Sequence, residues 1–378
     1  MQNLAFLPKF VGMKHNCLTI GLLTLAGTFI ACTPDSNTLQ PQTGYLIVMG
    51  EDSCRNISYS DEQRFAAPFR NMSLYYNGLA LVCDSDALYG YVNDKGDFVI
   101  PARYNRATVF SEGLAWVHKR GDMPGAIDDG GRVKLSLRDA VAVRAFHEGH
   151  AAFATVKRGI TLWGFINKKG EETIKARFKA VKNYCQGLAA VQDIQSGLWG
   201  YIDLSDSLRL PCRYQEACSY DEKGTALVRD DKGYLVIDRN GIPLTMLSSY
   251  EIVIPDGEYY RVCYNRKWGW CDRNGATVIK PCYDDCRSFG SAPLAPVLIR
   301  GKWAYVDRNG NIAVKRQFAD AYPFIDHHAA VKAGTVWGFI DENGRYVVNP
   351  QYNAIPADYL HQALGEGSVF MTLDLPRR

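Results

Sequence analysis

Eight amide or acidic side chains, Asn93, Asp128, Asn167, Asp203, Asp238, Asp272, Asp307 and Asp341, recur at intervals of about 35 residues. A column of hard oxygen ligands is what a calcium site uses. Seven of the eight are followed three residues on by glycine (Gly96, Gly131, Gly170, Gly241, Gly275, Gly310, Gly344), and the eighth by Asp206. Asn or Asp opens a tight turn and the residue at that offset takes positive φ, so turn formation accounts for the column and no metal is expected. A second column is aromatic, as in Trp163-Gly164-Phe165, Trp199-Gly200-Tyr201 and Trp268-Gly269-Trp270. Aromatic faces can stack on sugars or peptides, but an aromatic at one place in every repeat is first of all a packing spine.

The remaining reactive residues are scattered. Eleven cysteines include Cys17 and Cys32, leaving nine, an odd number, in the rest of the chain. Cys282 with Cys286, and Cys212 with Cys218, are near enough in sequence to pair, yet connectivity does not follow from spacing. No second close Cys or His pair accompanies them, so zinc is not expected. His150 and His328 hold equivalent repeat positions about five units apart and are not read as a metal pair. The paired acids Asp284-Asp285 and Glu171-Glu172 fall in turns or connectors, where solvated charge is the default over a glycosidase couple. Gly365-Glu366-Gly367-Ser368 lacks the third glycine of a dinucleotide loop, and no nucleophile elbow or phosphate loop is present. No catalytic, cofactor-binding or metal-binding residue is assigned, and the chain is expected not to be an enzyme.

The elements that carry these columns are short strands. In the first unit Gly78 to Val82, Leu88 to Asn93 and Asp97 to Pro101 each have strand length and apolar or β-branched content. This predicts three antiparallel strands per unit. Proline after the third strand (Pro101, Pro211, Pro281, Pro350) cannot donate to a ladder and is expected to end it. Glycine between two aromatics leaves room for another segment to approach closely. With 22 Tyr, 16 Phe and 34 Gly the composition agrees with an all-β chain.

The run from Tyr89-Gly90-Tyr91-Val92-Asn93 to Trp337-Gly338-Phe339-Ile340-Asp341 resembles the WG repeat family, whose signature is aromatic-Gly-aromatic-Ile-Asp-x-x-Gly followed by proline and an aromatic. Strong matches are Leu162 to Gly170, Trp199 to Asp203, Lys267 to Gly275 and Trp337 to Gly344. Gly125 to Asp128, Tyr234 to Asp238 and Trp303 to Asp307 are weaker, having lost the Trp or the Gly. The resemblance implies a bacterial repeat protein without a common activity. The expected architecture is about eight three-stranded units in an open superhelix, with a closed propeller as the alternative.

Residues Leu18 to Ile30 form a short apolar run after Lys9 and Lys14, the pattern of a secretory leader. Its end, Phe29-Ile30-Ala31-Cys32, resembles the lipobox of bacterial lipoproteins, which makes Cys32 the expected lipidation site. The domain reading is therefore a signal peptide at 1–31, anchor, tether and N-terminal cap at 32–64, repeats at 65–373 and a tail at 374–378. Formal net charge is +3, and about +1 without the two leader lysines, too little to gather phosphates. The expectation is a lipid-anchored cell-envelope scaffold that binds a protein, peptide or glycan, with no cofactor and no nucleic acid. A glycan-processing enzyme and a structural spacer are the alternatives.

Overall fold

The computed structural model describes residues 46–49, 54–57, 63–355 and 370–372; the leader, Cys32, Gly365 to Ser368 and the 374–378 tail lie outside them. The core of the chain is eight sheets, each of four antiparallel strands made from one continuous stretch: 71–104, 106–136, 140–178, 180–214, 216–246, 252–283, 285–318 and 320–352. We call these blades 1 to 8. Ahead of them Leu46–Met49, Cys54–Ile57 and Gln63–Ala67 form a three-stranded sheet of their own.

Two expectations are overturned here. The unit has four strands, because each connector hides a further strand. In blades 2, 4, 5, 7 and 8 it is two residues long (Arg106–Ala107, Ala180–Val181, Glu216–Ala217, Asp285–Cys286, Asp320–Ala321). Two residues carry no detectable alternation. The array is also closed, a β-propeller and not an open superhelix. Apolar clusters lie between successive blades, and one of them joins Trp337, Phe339 and Val348 of blade 8 to Met72, Tyr75 and Val82 of blade 1. The equivalent seam of blades 4 and 5 holds Tyr201, Leu210 and Tyr220. Burial of this kind stabilises at about 25 cal/mol per Å² of apolar surface, so closing the ring removes two otherwise exposed end faces. The chain's last described strand, Phe370–Thr372, does not complete blade 1; it pairs with blade 3.

The fourth strands form the exposed outer edge, with patterns such as Phe98–Tyr104, where only Ile100 and Tyr104 are buried. They also run through their prolines, contrary to expectation. Tyr91 pairs with Ile100 and Tyr89 with Tyr104, so Gly90 alone faces the three residues Pro101-Ala102-Arg103. A Cβ on Gly90 would stand 2.6 Å from Ala102 N and 2.7 Å from Ile100 O. The chain therefore passes over the face of the third strand at the glycine, as expected for a close backbone approach, and proline lies where the strand has left its ladder and no donor is needed. That crossing delivers the chain to the next blade with one residue between strands: Asn105, Lys179, Gln215, Asp284 or Ala319.

Blades 2 and 5 do not cross over. Gly125 pairs directly with Ser136, and Leu235, which replaces the glycine, pairs directly with Met246. Their links to the next blade are longer, 137–139 and 247–251, and the first strands that follow are five residues long, Ala140–Arg144 and Ile252–Asp256. Blade 7 keeps the crossing register with Ala304 in the glycine's place.

Candidate interaction surface

The Asp and Asn column is consumed by its turns. Asp272 Oδ1 accepts the backbone N–H of Asn274 at 2.9 Å and of Ala276 at 2.8 Å, and Asn93, Asn167, Asp203, Asp238, Asp307 and Asp341 repeat the pattern. Asp128 is tied to Arg132 through N–H and guanidinium alike. The N–H of Arg132 holds the Asp128 carboxyl below the usual range, and the Asn311 side chain does the same for Asp307. Asp206 takes φ 66°, the left-handed conformation expected of the one unit without the turn glycine.

The aromatic column is a spine. The second aromatic of a blade packs on the connector aromatic of the next: Tyr91 on Phe110 at 4.8 Å, Phe165 on Tyr184 at 4.6 Å, Tyr201 on Tyr220 at 4.8 Å, Trp270 on Phe289 at 5.0 Å, Tyr305 on Phe324 at 5.1 Å. Tyr91, Tyr201 and Tyr305 also donate their hydroxyls across the seam to the carbonyls of Thr108, Cys218 and Tyr322 at 2.7, 2.7 and 2.8 Å. The first aromatic lies under a cation in five blades: Arg144 over Trp163, Lys182 over Trp199, Arg229 over Tyr234, Arg287 over Trp303 and Lys332 over Trp337. The second aromatics are buried in the seams, while Trp163 and Trp199 are half-buried beneath their cations, so packing is the column's first use.

One strong polar cluster escapes sequence reasoning. Asp256 is fully buried and its carboxylate accepts from Trp270 Nε1 at 2.8 Å, from the N–H of Phe289 at 3.1 Å and Gly290 at 3.2 Å, and from the Ser288 hydroxyl; Arg261 Nε stands 4.0 Å away. It fastens blade 6 to blade 7. The available signal was Trp270, an indole donor where five other blades carry Phe or Tyr (Tyr91, Phe165, Tyr201, Tyr305, Phe339).

The other candidates disperse. His150 and His328 each bond through Nδ1 to a carbonyl of their own turn, Glu148 at 2.9 Å and Asp326 at 2.6 Å. Asp284 is held by Lys267 at 2.6 Å and the N–H of Arg300 at 2.7 Å, and Glu171 accepts from Asn167 at 2.7 Å. Among the described residues no disulfide joins Cys282 to Cys286 or Cys212 to Cys218; Cys282 is exposed, and burial pushes the Cys271 thiol up to about 12.

Two surface features stand apart from the repeat, both at blade 5. A polar depression of about 410 Å³ opens where the 247–251 link replaces the crossing strand, lined by Gln215, Arg229, Asp231, Lys232, Tyr234 and Tyr250. On the outer edge Ile242, Leu244 and Met246 are 57%, 56% and 52% exposed. Alternate residues share a face, so the three make an apolar stripe.

Solved structures that this one resembles are β-propellers. A eukaryotic initiation factor matches with TM-score 0.60 and 11% identity over 83% of this chain and 98% of that one. BamB from Moraxella catarrhalis gives 0.37 and 9% over 82% and 98%, and dihydro-heme d1 dehydrogenase NirN 0.44 and 12% over 84% and 76%. At 11% identity the initiation-factor likeness is one of fold alone. No curated protein sequence matches the chain. The pattern described as WG containing repeat matches residues 89–121, 163–193, 199–234, 268–303, 303–334 and 337–358, each starting at the aromatic-Gly strand or its equivalent. With those residues now seen to be the crossing glycine, the spine and the turn of each blade, the chain belongs to the WG containing repeat family.

Proposed function

We propose that this propeller is a non-catalytic protein-binding scaffold of the bacterial cell envelope, anchored by a lipid on Cys32. The observation that carries the binding reading is the apolar stripe Ile242, Leu244 and Met246, left exposed by a fold that uses its other aromatic and carboxylate columns internally. An edge strand with exposed apolar residues is a contact surface or a hazard, and a partner resolves the hazard. A photoreactive residue at 244 in cells should give a discrete protein adduct that the same residue at Lys95 does not. No adduct at 244 would refute the binding reading.

The anchor reading rests on the Ala31-Cys32 junction after the apolar run and on the polar stretch Thr33 to Thr38 as a tether. Metabolic labelling with a fatty-acid analogue should mark the wild type and not Cys32→Ala; equal labelling would remove the anchor. The polar depression favours a second ligand class, a small glycan held by the Arg229, Asp231 and Lys232 side chains. Retention on a glycan array that Lys232→Ala abolishes is the expected result, and a blank array counts against it.

A further inference from the structure

Blade 3 is the one blade with a fifth strand among the described residues. Phe370–Thr372 pairs antiparallel with its first strand, Thr372 opposite Ala142, Met371 opposite Val143 and Phe370 opposite Arg144. The edge exists because blade 2 lacks the crossover, which leaves Ala140–Arg144 five residues long where most first strands have two. Its sequence, Ala-Val-Ala-Val-Arg, contains no proline, so every residue keeps its N–H. The other five-residue first strand, Ile252–Asp256, includes Pro255 and has lost a donor. Of the two five-residue first strands, one is thus blunted by its own sequence and the other is covered by the chain's end; blade 1 opens with the six-residue Asn71–Tyr76.

We propose that the outer edge of the Ala140–Arg144 strand is an acceptor for an extended segment of a partner protein, and that the chain's own strand Phe370–Thr372 occupies it until the partner arrives. Main-chain pairing of this kind supplies affinity with little demand on sequence, and a three-residue ladder is short enough to be displaced. Arg144 adds a preference. Its guanidinium lies over the Trp163 ring at 5.3 Å, and its Nε is sealed from solvent with no hydrogen-bond partner among the described residues. Burial lowers its pKa to about 10, with no offsetting carboxylate among the described residues. A segment that pairs with β-branched or aromatic residues and brings a carboxylate to Arg144 meets both needs.

This rests on the protein-binding reading above, but its test needs no cellular partner, so it can fail while an adduct at position 244 stands. The probe is a fluorescent peptide of residues 367–374, Gly-Ser-Val-Phe-Met-Thr-Leu-Asp, followed by anisotropy. Met371→Pro in the full chain removes the internal ladder without shortening it. That variant should bind the peptide at least ten-fold more tightly than the wild type, with an unchanged melting curve. A second peptide carrying Phe370→Glu, which sets a carboxylate opposite Arg144, should bind that variant several-fold more tightly than the first, and adding Arg144→Gln should remove the gain. Equal affinity for wild type and Met371→Pro, or no binding to either, overturns the proposal.

Discussion

Replacing Gly90 by alanine tests the crossover directly. The added Cβ meets Ala102 N at 2.6 Å, Ile100 O at 2.7 Å and Ala102 Cα at 2.8 Å, all backbone atoms of the crossing strand. Ordinary contact lies near 3.4 Å, so that strand must lift by roughly 0.7 Å or the third strand must sink into the seam, an overpacking cost of about 2–3 kcal/mol. Alanine also removes glycine's excess freedom in the unfolded chain, which returns about 0.5–1 kcal/mol. The net expectation is a loss of about 1–2 kcal/mol. Gly125→Ala is the internal control, because blade 2 has no crossing and the nearest atom, Leu135 O, is 3.2 Å away; there the two effects should nearly cancel. Blade 7, which holds Ala304 in the same register, shows that a methyl can be accommodated when the crossing stretch is Lys315-Arg316-Gln317. Urea denaturation followed by tryptophan fluorescence reads the difference, as does a Tm shift of about 3–6 °C. Should Gly90→Ala prove as stable as Gly125→Ala, the crossover is not what the glycine serves.

Asp256→Ala strips four donors of their acceptor and leaves Arg261 facing an apolar gap, so it should cost about 3–5 kcal/mol in the same denaturation assay, with Asp256→Asn intermediate. Desolvation raises the pKa of Asp221, but the hydrogen bond and charge of Arg273 outweigh it and the net shift is downward. A depressed carboxylate stabilises above its unfolded value, near pH 4, and that stability is lost as pH falls through the folded value. Asp221→Asn should therefore lower Tm at pH 7 and converge with the wild type in acid; a constant gap down to pH 2 would contradict this. Among the described cysteines Cys282 should react first with a thiol reagent and Cys286 only on unfolding, so Cys282→Ser should remove a fast phase seen in the folded protein.

Much of this molecule is legible in its sequence, for physical reasons that are local. The Asx turns need only a side chain and the two N–H groups that follow it, and Gly164 beside Trp163 announces a close approach by having no side chain. What stays hidden depends on relations between distant segments. Arg106–Ala107 is too short to show a period, and whether the array closes depends on the rotation from blade to blade, a property of seams such as Tyr305 on Phe324 and not of any single repeat. Proline misled for a related reason: the rule about ladders is sound, but Pro101 sits where the chain has already left its ladder. The candidate surface was no more visible, because Ile242, Leu244 and Met246 read as one more strand until the outer edge of blade 5 is located.

The single-residue links have a further consequence for how such a ring can be cut, extended or inherited. Where the chain crosses at a glycine there is no slack between neighbours, and new ends or inserted domains would have to tear a strand from its sheet. The links at 137–139 and 247–251 carry the slack instead. They are the natural places to open the ring for circular permutation, and the natural breakpoints at which groups of blades could be exchanged between relatives without disturbing the crossings on either side.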